Sequence, residues 1–167
     1  MTALPTLLVD TNVIIEAVRT GCWRAITGRM NVETVETCTH EAARGDAGRR
    51  GYVVVSAEEL SRLACVHPVS EEERAALALE YPDAAGMDAG ERDLFAHAFG
   101  RSDETWLLLS PDKASIRAGV TLGWQDRLRS LGAVAEQTGA RPKLKRHFEE
   151  SWLAEWRTHF LLEGRVR

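Results

Sequence analysis

The chain has 167 residues, 44% of them hydrophobic and 28% charged, which is an ordinary composition for one folded globular domain. Its net charge of −4 and pI of about 5.8 exclude an overall basic surface, so any nucleic-acid binding must depend on local basic patches or bound cations. No stretch approaches the roughly 18 apolar residues of a membrane span, and the N-terminal apolar run is too short for a signal peptide.

The first predicted element is a short buried strand that ends on a carboxylate. Residues 7–9 form an apolar run, and Asp10 follows directly. Apolar residues then recur at helical spacing over 13–18, with Thr11 or Asn12 as the cap. In an open α/β sheet, ligands lie at the carboxyl ends of the parallel strands. Asp10 would occupy that place, although an acid there is also a common helix cap.

The next part of the chain alternates between strand-like and helix-like segments. In chain order these are a strand over 32–37, a helix starting at 39–43, a basic glycine-rich loop over 44–51, a β-branched run at 53–55, a helix over 57–64 and an extended segment at 66–69. Ser70 is followed by three glutamates, a pattern that predicts the capping box of a further helix. Residues 83–90 are predicted to form a loop.

A second strand that leads to an acid lies in the C-terminal half. Residues 91–100 have the apolar spacing of a buried helix face, and residues 106–109 form an apolar strand that runs into Ser110, Pro111 and Asp112. Further helices are predicted from residue 113 and over 126–138. The alternation of strands and helices predicts an α/β fold, a three-layer α/β/α sandwich with a central parallel sheet.

Aromatic residues recur four apart in the C-terminal segment: Phe148, Trp152, Trp156 and Phe160. This spacing predicts an amphipathic helix whose aromatic face is too apolar to stand in water. We therefore expect it to pack on the domain or on a partner chain, including a second copy of this chain. The candidate boundary at 139–143 divides the chain into a domain over residues 1–140 and a helical tail over 141–167.

Four acids are predicted to converge at one edge of the sheet. Asp10 and Asp112 end strands, whereas Glu41 and Glu91 begin helices. Unpaired carboxylates held close together raise one another's pKa, and a divalent cation relieves that cost. Hard carboxylate ligands without nearby His or Cys favour Mg²⁺ or Mn²⁺ over Zn²⁺. No Ser-His-Asp or Cys-His pair can be assembled from the spacing, so a covalent route has no candidate nucleophile.

The motifs around these acids resemble those of the PIN-domain ribonucleases. They are Leu-Val-Asp-Thr-Asn-Val at 8–13, Thr-His-Glu-Ala at 39–42, Gly-Glu-Arg-Asp-Leu-Phe-Ala at 90–96 and Leu-Leu-Ser-Pro-Asp-Lys at 108–113. The resemblance covers roughly residues 4–139 and implies a metal-dependent endoribonuclease that uses one or two ions to cut RNA. Many bacterial members are the toxins of toxin–antitoxin pairs, so an antitoxin protein is a candidate partner beside the RNA substrate. The alternative is a non-catalytic PIN-like module that binds RNA or protein.

Within this resemblance, Asp10, Glu41, Glu91 and Asp112 are the expected catalytic and metal-binding residues. Thr11, Asn12 and Ser110 could orient a ligand or the scissile phosphate, or could merely bond to the backbone. The third acid has a competitor, because Asp93 stands two residues after Glu91. Helical geometry favours Glu91, which lies above the buried stripe, whereas Asp93 is predicted to face solvent about 200° around the helix.

The remaining polar residues give weaker indications. Arg44, Arg49 and Arg50 could hold RNA phosphates, although such basic loops are usually only solvated. The histidines are expected to be ordinary polar residues, because Arg44 stands where a His-Glu-x-x-His zinc motif needs its second histidine. The three cysteines are far apart and form no Cys-x-x-Cys pair, which favours reduced thiols in a cytoplasmic protein.

Overall fold

The computed structural model describes residues 4–45, 53–101 and 105–165. Its centre is a parallel sheet of four strands, β1 (Thr6–Val9), β2 (Asn31–Val35), β3 (Cys65–His67) and β4 (Trp106–Leu109), in the spatial order β3-β2-β1-β4. The two strands that lead to Asp10 and Asp112 are neighbours, with Val9 paired to Leu109. Both acids therefore follow strands that end at the same edge of the sheet.

Helices cover both faces of this sheet. They are α1 (Thr11–Arg19), α2 (Trp23–Thr27), α3 (Glu36–Arg44), α4 (Ala57–Leu60), α5 (Glu71–Glu80), α6 (Ala89–Phe99), α7 (Lys113–Thr121), α8 (Leu131–Gln137) and α9 (Glu150–Arg165), with 3₁₀ turns at Pro82–Gly86 and Arg146–Phe148. Successive strand residues point to opposite faces. Leu8 and Leu108 pack towards α5, α6, α7 and α9, whereas Leu7, Val9 and Leu109 pack towards α1, α2 and α8. The predicted three-layer α/β architecture is confirmed.

The helix starts are set by local hydrogen bonds. Ser70 forms the predicted capping box of α5 with Glu73, in which the serine hydroxyl accepts from the Glu73 amide at 3.2 Å and the glutamate accepts from the Ser70 amide at 2.7 Å. Ser130 caps α8 by accepting from the Ala133 amide at 3.0 Å. The helix predicted over 126–138 therefore begins only at Leu131.

Several other predicted boundaries are wrong, and tertiary contacts explain the differences. The β-branched run at 53–55 is not a strand: the Val55 amide donates to the Ala42 carbonyl at the end of α3, and β3 already occupies the sheet position beside β2. Leu128 forms a bridge beside Leu108 at the outer side of β4, which keeps this segment extended before α8. The helices predicted from residues 39 and 91 begin at Glu36 and Ala89.

The C-terminal tail packs onto the domain, as its aromatic spacing predicts. Phe148 and Phe160 are 3% and 5% exposed, but they do not share one helix face as predicted. Phe148 lies in the 3₁₀ turn before α9 and packs on the α1, α2 and α8 side of the sheet, whereas Phe160 in α9 packs on the other side. Helix α9 lies along α7, and the indole of Trp152 donates to the Pro111 carbonyl at 3.0 Å. Within the described ranges, no helix is both long and apolar enough to cross a membrane.

Candidate metal centre

Asp10 is the most buried of the four predicted acids, with 1% of its surface exposed. One carboxylate oxygen accepts from the Val13 amide at 2.8 Å, so Asp10 does cap α1, and the other accepts from the Ser110 hydroxyl at 2.6 Å. Burial raises the pKa of Asp10 to about 7; the two hydrogen bonds oppose this rise and the charge of Asp112 adds to it. Asp10 is thus a helix cap whose ionisation lowers the stability of the folded protein.

Glu91, at the start of α6, lies beside Asp112. One carboxylate oxygen from each of Glu91, Asp112 and Asp88 lies within 4.8 Å of the other two. Glu91 is 7% exposed, and its Oε1 has no hydrogen-bond partner among the described residues. Burial, together with the neighbouring Asp112 and Asp10, raises the pKa of Glu91 to about 8, and the Ser115 hydroxyl opposes this rise. This arrangement of oxygen ligands could hold a metal ion.

Asp88 is the member of this cluster that the sequence analysis missed. It occupies the N-cap position of α6, yet its side chain makes no capping hydrogen bond there. It is exposed, like Asp112, and both acids flank the buried Glu91. The sequence does offer an indication of Asp88, which is an acid directly before the Ala-Gly-Glu start of a helix. Because residues 83–90 are predicted to form a loop, this position is not recognised as a helix start.

Glu41 reaches the same region from α3 through two hydrogen bonds. Its Oε2 accepts from the Thr11 hydroxyl at 2.7 Å, and its Oε1 accepts from the Gly90 amide at 3.2 Å. The carboxylate thus links the starts of α1 and α6. A β-carbon at residue 90 would stand 2.5 Å from Oε2, so a larger residue there would force the Glu41 carboxylate to move.

The predicted orienting residues divide into two groups. Thr11 and Ser110 each donate to one of the predicted acids, to Glu41 and Asp10 respectively, rather than only to backbone groups. Asn12 is exposed in the first turn of α1, and its backbone amide helps to lower the pKa of Asp10. The two hydroxyl groups therefore hold carboxylates in place.

The prediction that Asp93 faces solvent is wrong. Asp93 is 2% exposed because α5 packs over α6 and supplies Arg74, whose Nε and Nη2 donate to its two oxygens at 2.7 and 2.9 Å. Thr37 adds a donation at 2.5 Å. Burial alone would raise the pKa of Asp93, but the Arg74 and Thr37 hydrogen bonds outweigh it and lower the pKa. Asp93 is neutralised by an ion pair, whereas Glu91 faces other acids.

A second polar cluster lies between β2, β3 and α6. Glu33 Oε2 is 2.7 Å from His67 Nε2 and accepts from Arg101 Nη1 at 2.8 Å, and the rings of His67 and His97 stack with centroids 4.1 Å apart. Burial, with the nearby His67 and Arg101, lowers the pKa of His97 to about 4. The sequence carries no spacing signal for this cluster, because only the sheet order brings Glu33 and His67 together.

The remaining predicted residues lie elsewhere. Arg44 is exposed at the end of α3, and Arg49 and Arg50 fall outside the described residues. The three cysteines are free thiols; Cys22 and Cys38 are buried and Cys65 is exposed.

Comparison of the sequence with protein-family models gives no match, and comparison with curated proteins gives no significant match. The ligand atoms that the acidic site offers are carboxylate oxygens, and the pKa values of its buried members Asp10 and Glu91 are raised by burial and by neighbouring acids.

Proposed function

We propose that the protein is a metal-dependent ribonuclease of the PIN-domain type that hydrolyses RNA phosphodiester bonds with Mg²⁺ or Mn²⁺. The observation that carries this proposal is the position of Glu91. It is buried, one of its oxygens has no partner within the described chain, and its neighbours are acids. Such a group is unfavourable when it is ionised, because its charge is then neither well solvated nor paired with a cation. A hard divalent cation would satisfy it.

The residues that would hold the cation are Glu91, Asp112 and Asp88, whose carboxylate oxygens lie within 4.8 Å of one another. Asp10 would join them, because it is close enough for its charge to raise the pKa of Glu91. The chemistry that bound Mg²⁺ or Mn²⁺ supplies is neutralisation of phosphate charge, activation of water and stabilisation of the leaving oxygen. Ser110 orients Asp10, and Thr11 orients Glu41 beside the start of α6. The protein's contribution is thus a group of carboxylates, of which Asp10 and Glu41 are held in place by hydroxyl and backbone donors.

The sequence motifs add independent support for this activity. Of the acids that the resemblance to PIN-domain ribonucleases assigns, Asp10 and Asp112 follow the neighbouring strands β1 and β4 and Glu91 lies in the first turn of α6. Glu41 does not begin a helix as predicted, because α3 starts at Glu36, but it reaches the start of α6 from within α3. The proposed substrate is RNA, and an antitoxin or a second copy of the chain remains a candidate partner that the sequence predicts.

The proposal is tested by incubating the full chain with end-labelled single-stranded RNA in Mn²⁺ or Mg²⁺. We expect cleavage that EDTA abolishes and that restored Mn²⁺ recovers. Asp10→Asn and Glu91→Gln should both be inactive. The matched control is Asp93→Asn, which removes a buried acid from the same helix but from outside the cluster, and which should keep activity once its folding is verified by circular dichroism.

Two results would contradict the proposal. Cleavage that survives both chelation and Asp10→Asn would show that other groups do the chemistry. Binding of Mn²⁺ by calorimetry without any RNA cleavage would instead favour the non-catalytic module.

A further inference from the structure

A groove begins beside the candidate metal centre and runs between α7, α9 and the turn at Pro82–Gly86. Its volume is about 380 Å³, within the range of small-ligand sites. Two of the residues that line it, Met87 and Lys113, are adjacent in sequence to Asp88 and Asp112. The groove therefore lies beside the acidic cluster, next to the starts of α6 and α7.

The rim of the groove is cationic. Lys113 Nζ lies 3.8 Å from the centroid of the Trp156 ring, and Arg117 lies 4.8 Å from that of Phe160. These two cations are four residues apart on α7, a separation of about 6 Å along the helix axis. Arg117 also pairs with Glu163 at 3.7 Å. Both side chains are about half exposed, so another anion can readily replace Glu163 as the partner of Arg117.

The floor of the groove is apolar. Tyr81, Met87 and Phe160 line it, and each is at most 8% exposed. Trp156 lines one side, and its buried indole N–H lacks an acceptor in the described part of the chain. Asp83 also lines the groove. The combination of an apolar floor with spaced cations suits a ligand that alternates flat bases with phosphates.

We propose that this groove binds the nucleotides of single-stranded RNA that flank the scissile phosphate, with Lys113 and Arg117 on successive phosphates and a base over the Tyr81 and Phe160 floor. This inference rests on the proposed function. The metal centre carries several negative charges and the whole chain is acidic, so an RNA strand needs cations beside the acids in order to approach. Single-stranded RNA is favoured because its unpaired bases can leave the stack and lie on aromatic surface.

The test measures binding separately from cleavage. The full chain carrying Asp10→Asn is titrated, in Mg²⁺, against a fluorescein-labelled single-stranded RNA of about ten nucleotides, and anisotropy gives the Kd at several salt concentrations. Adding Lys113→Gln and Arg117→Gln should raise the Kd on the order of tenfold. The slope of log K against log salt should fall by about 1.4, since each lost phosphate contact on a single strand removes about 0.7.

Arg24→Gln is the matched control. Arg24 is an exposed arginine paired with Glu58 at 3.4 Å, much like Arg117 with Glu163, but it lies on α2. The Arg24→Gln substitution should leave both the Kd for RNA and the slope of log K against log salt unchanged. An unchanged Kd in the Lys113 and Arg117 variant, or equal affinity for an RNA duplex of the same length, would overturn the proposal. Cleavage by the wild-type chain is scored in parallel, so loss of the groove hypothesis is distinguished from loss of the nuclease hypothesis.

Discussion

Replacing Asp10 by asparagine should stabilise the metal-free protein. The asparagine amide keeps the size of the carboxylate, its oxygen can still accept from the Val13 amide, and its nitrogen can donate to Ser110 once that hydroxyl reverses. Only the buried negative charge is lost. Because this charge lies among Asp112 and Glu91 at a site with almost no solvent exposure, its removal relieves a folding cost.

The size of this effect follows from the pKa of Asp10, which burial raises from the ordinary 3.8 to about 7. An acid whose pKa is raised on folding contributes stability that is present below its unfolded pKa and is lost as pH rises through its folded pKa. At about 1.36 kcal/mol per pKa unit, ionised Asp10 costs the fold about 4 kcal/mol at pH 8. At pH 5 the cost to folding is only about 2 kcal/mol, because Asp10 stays protonated in the folded protein although it is mostly ionised in the unfolded chain.

Urea unfolding in EDTA at pH 8 and pH 5 measures these differences. Asp10→Asn should raise the free energy of unfolding at both values, and more at pH 8. Adding Mn²⁺ at about 100 times its Kd should stabilise the wild-type chain by about 2.7 kcal/mol and the variant much less. An asparagine variant that is no more stable at pH 8 than the wild type would refute the reasoning.

Glu16→Gln provides a control of opposite sign in the same assay. Glu16 is also 2% exposed, but the hydrogen bonds and charge of Arg19 and the backbone amide of Lys145 outweigh its burial and lower its pKa. An acid with a lowered pKa contributes stability above its unfolded pKa that is lost as pH falls. This substitution should therefore destabilise the protein at pH 8.

Three further substitutions test the packing around the centre. Gly90→Ala would place a β-carbon 2.5 Å from the Glu41 carboxylate, so we expect weaker Mn²⁺ binding by calorimetry, and unchanged affinity would show that the position of Glu41 is not needed. Asp93→Asn should cost about 3 kcal/mol in urea unfolding because it leaves Arg74 without its buried partner, whereas a neutral effect would deny that the ion pair is structural. Phe148→Ala should cost roughly 3–5 kcal/mol in the same assay, and a loss below about 1 kcal/mol would mean that the tail is not part of the core.

Local pattern was sufficient for the elements that organise the centre. The apolar runs before Asp10 and before Ser110 predict the two strands, and the Ser70 capping box predicts the start of α5. These signals depend on residues within a few positions of one another, and the alternation of elements implies a parallel sheet. The sequence therefore determined the fold class, and it placed Asp10 and Asp112 beyond the ends of two strands.

The tertiary structure decided which polar groups meet. Arg74 lies 19 residues before Asp93, and only the packing of α5 on α6 makes them a pair and leaves Glu91 to face other acids. Asp88 joins the cluster because the turn before α6 lies close to the start of α7. Such contacts depend on how elements pack across the fold, and spacing along a single chain contains no record of that packing. Short-range periodicity thus indicated the main strands and helices, whereas several of their boundaries and the charge balance of the site depended on the tertiary fold.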